Sequence, residues 1–231
     1  MKFYVDRKEL NWEPENFYIA GYTAKNQAEL KEHIEELEKI GVAAPPQVPM
    51  IYHLSPELLS TGATISTVRN DASGEAEVVL LNIEGEWHVG IGSDHTDRVL
   101  EATSVQKSKQ VCAKPISNEL WPLSAIEDHW DEIELRSWYS INGKETLYQS
   151  GKLDAFLSPK ELLKIVEERG YSTSESALFC GTLPIVSGEF IYGESFRAEL
   201  FDPKMNKKIE LFYHTKILRD SEEEALCQKR N

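Results

Sequence analysis

Glu75 and Glu77 stand two residues apart in the run Gly74-Glu75-Ala76-Glu77-Val78-Val79-Leu80-Leu81-Asn82-Ile83. In an extended strand, residues two apart share a face, so both glutamates lie with Val79, Leu81 and Ile83, while Ala76, Val78 and Leu80 occupy the other side. Both faces are apolar, as in a strand buried on two sides. Two carboxylates at the mouth of such a strand repel each other and lose hydration unless a cation sits between them. Oxygen ligands of this kind suit Mg²⁺ or Mn²⁺, and Ca²⁺ as well. The other arrangement starts the strand after Glu77 and leaves both glutamates in water, because ionised residues are seldom buried without partners.

Further along, Gly92-Ser93-Asp94-His95-Thr96-Asp97-Arg98, followed by Glu101, comes directly after a strand candidate. Asp94 is either a third oxygen ligand, leaving positions free for substrate, or an N-cap with Asp97 three residues on. His33 and Glu36 are neighbours on one helix face. A carboxylate beside an imidazole fixes the tautomer and raises its basicity, which suits a general base for water; the alternative is an exposed pair that stabilises the helix slightly. Lys109, in Lys107-Ser108-Lys109-Gln110, is either the neutraliser of an anionic substrate or an ordinary surface lysine.

These residues need elements to hold them. Asn26 with Glu29 suggests a helix start and Gly41 its end, with Leu30, Ile34, Leu37 and Ile40 as its apolar stripe. Ser158, Pro159 and Glu161 mark a second helix, which Gly170 ends. Strands are predicted over 50–54, 75–83, 87–91, 133–141, 145–148, 178–185, 195–201 and 208–218. Asn142-Gly143 is a hairpin signal, since a type I′ turn needs positive φ at both central positions. The result is a mainly β chain with a few helices, an α+β class. Its organisation is an N-terminal segment with a lid helix (1–48), a catalytic core (49–219) and a polar tail (220–231).

Composition narrows the partners. The 231 residues carry 39 acidic and 25 basic side chains, a net charge of -14 and a pI near 4.9. That surface repels phosphate and anionic lipid, so neither nucleic acid nor membrane is an expected partner. No apolar run reaches the ~20 residues that cross a bilayer, and Met1-Lys2-Phe3-Tyr4-Val5-Asp6 does not read as a signal peptide. Cys112, Cys180 and Cys227 suggest neither a disulfide framework nor a clustered zinc site. A cytoplasmic protein is expected.

The order of these signals along the chain is more specific than any one of them. His-x-x-Glu, a Pro-bounded strand, Glu-x-Glu, Asp-x-x-x-Arg and then Lys resembles the fumarylacetoacetate hydrolase superfamily. The likeness continues through Ser140-Ile141-Asn142-Gly143 with Gln149, the helix from Pro159 to Arg169, and Phe179-Cys180-Gly181-Thr182-Leu183-Pro184. It runs from about Tyr18 to Leu218 and marks a divergent branch. The resemblance implies a fumarylacetoacetase-like mixed β-roll around a deep metal site, usually in a homodimer. It assigns Glu75, Glu77 and Asp94 as ligands of Mg²⁺ or Mn²⁺, His33 and Glu36 as the acid–base dyad of the lid, and Lys109 as the lysine that contacts substrate. Arg98, Glu101, Gln149, Thr182, His53 and His95 fall at substrate-binding positions. The chain departs from the family at Ser93-Asp94-His95-Thr96-Asp97-Arg98-Val99, which lacks the second aspartate. It also has a short Glu77-to-Asp94 linker, and Tyr52-His53-Leu54-Ser55-Pro56 puts His53 near the place of a lost lysine.

The implied chemistry is hydrolytic or lyase cleavage of a carbon–carbon bond in a small 2-oxo or β-diketo acid, with a metal-stabilised enolate as the shared intermediate. Decarboxylation, hydration and tautomerisation draw on the same enolate. The alternative is a non-catalytic, metal-dependent dicarboxylate-binding protein of the same fold.

Overall fold

The computed structural model describes residues 1–26, 28, 30, 31, 34, 35 and 44–220. His33 and Glu36, and most of the first helix predicted around them, lie outside the described residues, as do Cys227 and the tail from residue 221.

The run from Ala76 to Ile83 is the central strand of the molecule. It pairs antiparallel with Glu86–Ser93 through a tight turn, in which Glu84 (φ 52°) and Gly85 (φ 85°) supply the two positive torsions that a type I′ hairpin needs. On its other edge it pairs antiparallel with Ser176–Thr182. The complete eight-stranded sheet runs Lys8–Asn11, Lys2–Val5, Glu119–Pro122, Glu86–Ser93, Ala76–Ile83, Ser176–Thr182, Asn16–Gly21 and Met50–Leu54. It is mixed, with Lys2–Val5 parallel to Glu119–Pro122 and Asn16–Gly21 parallel to Ser176–Thr182.

A second sheet of five strands, Lys144–Lys152, Glu134–Ile141, Ser195–Asp202, Lys207–Leu218 and Thr64–Val68, packs against one face of the first. Its first hairpin turns at Asn142 (φ 52°) and Gly143 (φ 73°), as the Asn-Gly pair predicts.

The two-sided burial expected of the central strand is present. Val78 and Leu80 join Val89, Ile91, Leu135, Phe196 and Leu200 in the core between the sheets. Val79, Leu81 and Ile83 join Phe17, Ile19, Tyr52 and Phe179 in a second core on the opposite face. With each buried aliphatic side chain contributing ~1.5–3 kcal/mol, a strand so anchored is a rigid base for whatever stands at its ends.

The helix Pro159–Glu168 also starts as predicted. Ser158 Oγ accepts from the Glu161 N–H, the Glu161 carboxylate accepts from the Ser158 N–H (2.9 Å), and Leu162 and Val166 are buried beneath it. The short N-terminal strands were not predicted. Lys8–Asn11 is almost fully exposed and Lys2–Val5 shows no clear alternation, so both are strands through pairing with each other and with Glu119–Pro122. No helix among the described residues is long and apolar enough to cross a membrane.

Two tests follow from the packing. A Cβ on Gly92 would stand 2.5 Å from the Phe179 ring and 2.8 Å from Val79. Gly92→Ala should therefore lower the urea-unfolding free energy by ~1–3 kcal/mol, and a neutral effect would contradict this packing. The buried His129 Nε2 also holds Asp202 Oδ2 at 2.8 Å. Burial opposes the Asp202 charge, but the His129 bond and the Met205 and Lys204 N–H groups outweigh it and lower the pKa. Stability from this pair is present above the unfolded aspartate value of about 3.9 and is lost as pH falls through the lower folded value. Asp202→Asn should flatten the acid limb of a stability-against-pH curve.

Candidate metal centre

Hairpin register assembles the acidic site. Ala76 pairs with Ser93 and Glu77 with Gly92, so Glu75 falls opposite Asp94, whose N–H donates to the Glu75 carbonyl at 2.9 Å. The short stretch between Glu77 and Asp94 is therefore this hairpin and nothing more. The strand starts at Ala76, not after Glu77, and Glu77 is only 2% exposed, so the arrangement with both glutamates in water does not occur.

One carboxylate oxygen each from Glu75, Glu77 and Asp94 lies within 4.8 Å of the others. Oxygens on one octahedral Mg²⁺, at ligand distances of 2.0–2.1 Å, stand roughly 3 to 4.2 Å apart, so small side-chain adjustments suffice. The donor set is all oxygen and largely buried, which fits a hard divalent cation. The capping alternative for Asp94 is also corrected. Asp97 is the residue that caps the short helix Arg98–Glu101, accepting from the Leu100 N–H at 2.8 Å, while Asp94 is completely buried.

Each carboxylate has its own holder. Glu77 Oε2 accepts the Gly181 N–H at 2.8 Å. Gly181 sits at φ 107° beside a register shift in Ser176–Thr182, and a Cβ there would stand 2.0 Å from Thr23 Oγ1, so only glycine presents its amide this way. Glu75 faces the Arg98 guanidinium at 3.3 Å. Asp94 is touched by Lys109 at Oδ2 and faces Lys114 at 3.5 Å from Oδ1. Burial and the Asp94 charge push the Glu77 pKa well above the ordinary carboxylate range, against the pull of Lys109 and the Gly181 amide. Burial acts on Asp94 in the same sense, but Lys109 and Lys114 outweigh it and the net shift is downward.

Lys109, on the short helix Val105–Gln110, is 6% exposed and is no surface lysine. Burial disfavours its charge, yet Asp94, then Glu75, Glu101 and Glu77, raise its pKa above the usual lysine value. Its ammonium lies 5.8 Å from the centre of the Tyr52 ring.

Several residues expected to meet substrate are occupied elsewhere. Arg98 donates to Ser73 Oγ at 2.7 Å and to Glu101 at 3.0 Å besides holding Glu75, so its guanidinium is engaged in positioning, with Glu101 as a partly exposed partner. Gln149, fully buried, accepts from the Ala76 N–H and the Ser137 hydroxyl, both at 2.8 Å, and donates to Thr182 Oγ1 at 2.6 Å and the Leu183 carbonyl at 2.7 Å. Its amide has no capacity left for a ligand. Gln149 is a clamp between the two sheets, and Thr182, which also donates to the Ala76 carbonyl at 3.1 Å, belongs to the same clamp.

His53 is exposed, with its ring against Tyr18 (5.0 Å) and Tyr171 (6.3 Å); alternation sends Tyr52, not His53, toward Lys109. His95 is buried with Nδ1 3.0 Å from the Tyr213 hydroxyl, and burial together with Lys114 and Arg98 pushes its pKa down to about 3. It is a neutral imidazole packed toward the core between the sheets.

Sequence reasoning missed Tyr52, Gly181 and Lys114. A glycine inside a strand was an available signal for Gly181. None marked Lys114, which is completely buried.

Comparisons with known proteins bear on the fold. A family model described as "Protein of unknown function (DUF2848)" matches residues 20–213. No curated protein matches the sequence. Among solved structures, a candidate fumarylacetoacetate isomerase/hydrolase from Oleispira antarctica is similar with a TM-score of 0.67 at 15% identity, over 94% of this chain and 100% of that one. A 2-keto-3-deoxy-D-arabinonate dehydratase, solved in complex with magnesium and 2,5-dioxopentanoate, is similar with a TM-score of 0.63 at 15% identity, over 90% of this chain and 75% of that one. The fold is fumarylacetoacetase-like, as the sequence resemblance implies.

Removing the Gln149 amide takes a partner from the buried Ala76 N–H, Ser137 hydroxyl and Leu183 carbonyl, at ~1–3 kcal/mol for each orphaned group, while Thr182 keeps its bond to the Ala76 carbonyl. Gln149→Met should thus be several kcal/mol less stable in urea unfolding. Wild-type stability in that variant would show that the clamp is not formed.

Proposed function

Since the chain belongs to the family described as "Protein of unknown function (DUF2848)", whose description assigns no chemistry, we propose a function from the site itself. The protein is a metal-dependent hydrolase or lyase that cleaves a carbon–carbon bond in a small 2-oxo or β-diketo acid. The observation that carries this reading is the convergence of Glu75, Glu77 and Asp94 beside a buried lysine. The fold neighbour solved with magnesium and 2,5-dioxopentanoate, a dehydratase, supports the metal-dependent, 2-oxo acid part of this reading.

Glu75, Glu77 and Asp94 would hold Mg²⁺ or Mn²⁺. Three protein oxygens leave about three of six positions for water or substrate. Bound there, a divalent ion supplies Lewis acidity to the carboxylate and keto oxygens of a 2-oxo acid.

The chain's own residues do the rest. Lys109 presents a buried ammonium where negative charge develops, and the low-dielectric setting strengthens that contact. The Tyr52 ring keeps water from the lysine's flank. Arg98 restrains Glu75, and Gly181 restrains Glu77, so the carboxylates need little reorganisation. His33, backed by Glu36, takes the proton from an attacking water in this proposal and returns it to the leaving carbon. A homodimer belongs to the same proposal.

Mg²⁺ or Mn²⁺ should raise the melting temperature of the wild-type protein in a concentration-dependent way, and Glu77→Gln and Asp94→Asn should abolish that shift. His33→Ala and Lys109→Met should each lower turnover of 2-oxo acids by at least ~10²-fold, within the range for loss of acid–base or electrostatic groups. Absence of any metal-linked melting shift would contradict the metal centre. Ligand binding with no turnover in the wild type would make the protein a dicarboxylate binder.

A further inference from the structure

One guanidinium marks the way out of the acidic site. Arg98 holds Glu75 at 3.3 Å and Glu101 at 3.0 Å. Glu77 is 2% exposed, the Glu75 side chain 15% and the Glu101 side chain 28%, so the site opens toward solvent on the Glu101 side. Arg98 donates to Glu101 Oε2, and among the described residues no donor takes Oε1.

The cations at this opening are already committed. Arg98 serves Glu75, Glu101 and Ser73, Lys109 serves Asp94, and Lys114 serves three backbone carbonyls. Among the described residues no other lysine or arginine pairs with these carboxylates. A second carboxylate on a bound substrate would therefore face Glu101 with no cation to receive it. Like charges brought together in a partly buried cleft are costly.

The rest of the opening is aromatic. Phe190 lies over the Arg98 guanidinium at 4.1 Å and is 41% exposed. Tyr22 and Tyr192 are half-buried. Burial raises the pKa of both phenols, and the Glu101 charge adds to each rise, which places Glu101 between them. Tyr22 also holds a left-handed backbone (φ 59°), a strain of the kind that gathers at ligand sites.

We propose that the site selects 2-oxo acids with a single carboxylate and an uncharged, apolar distal group, and that Glu101 and Phe190 make the selection. The proposal rests on the reading of the site as a metal-held 2-oxo acid centre. Glu101 repels a second carboxylate, and Phe190 gains by covering an apolar tail.

Competition calorimetry against oxalate, on the full chain loaded with Mn²⁺, tests this with two acids of one shape. 2-Oxoglutarate ends in a carboxylate, and 5-methyl-2-oxohexanoate carries an isopropyl group in the same place. The wild type should bind the branched acid at least ~10-fold more tightly. Glu101→Gln keeps an acceptor for Arg98 and removes the charge. It should narrow the ratio at least ~threefold by strengthening 2-oxoglutarate, and Phe190→Ala should narrow it by weakening the branched acid. A general loss of metal affinity cancels in the ratio.

Equal or tighter binding of 2-oxoglutarate by the wild type overturns the proposal, while oxalate binding in the same experiment keeps the metal centre. A Mn²⁺-treated wild type that binds no oxalate overturns both. A ratio unmoved in a folded variant overturns the role of that residue. The wild-type ratio decides the substrate class even where neither variant folds.

Discussion

The structure depends on one buried balance of charge. Asp94 is completely enclosed, and it stays ionised in company only because Lys109 and Lys114 approach it from two sides. A carboxylate without those ammoniums would meet a large desolvation cost next to Glu77, and an ammonium without Asp94 would meet the same cost. The hairpin, the loop after it and the Val105–Gln110 helix are thus held together by the requirement that none of these charges be left alone. Arg98 extends the arrangement outward to Glu75 and Glu101, nearer the surface.

Rigid packing makes that balance useful. The central strand lies between two apolar cores, so the backbone beneath Glu77 has little freedom. Gln149 ties that strand to both Ser137 of the second sheet and the Thr182–Leu183 segment. An acidic site on a flexible loop would collapse onto its lysines or open to solvent. Here the carboxylates keep their spacing because the elements that carry them cannot slide.

Much of this was legible in the sequence. The apolar run after Glu77 marked the central strand, and its two apolar faces predicted its burial on both sides. The Asn142-Gly143 pair and the Ser158–Glu161 capping box signal local backbone geometry, which needs no tertiary context. The three carboxylates were legible as a group only through their order along the chain, because each one alone reads equally well as a cap or a solvated charge. Lys114 was not legible, since its acceptors are backbone carbonyls that any residue could supply and that only the fold brings near. Arg98 and Gln149 have side chains suited to gripping a substrate carboxylate, and their neighbours Glu75, Ser73, Ala76 and Thr182 claim them first. His53 and Tyr52 show how one step of strand alternation exchanges the residue that faces the site for one that faces away.

The central claim is that Glu75, Glu77 and Asp94 share one divalent ion. Anomalous diffraction from crystals grown with Mn²⁺ tests it most directly. The account predicts one strong peak about 2.0–2.2 Å from an oxygen of each of the three carboxylates. A map with no peak there, or a peak held by other residues, would contradict it.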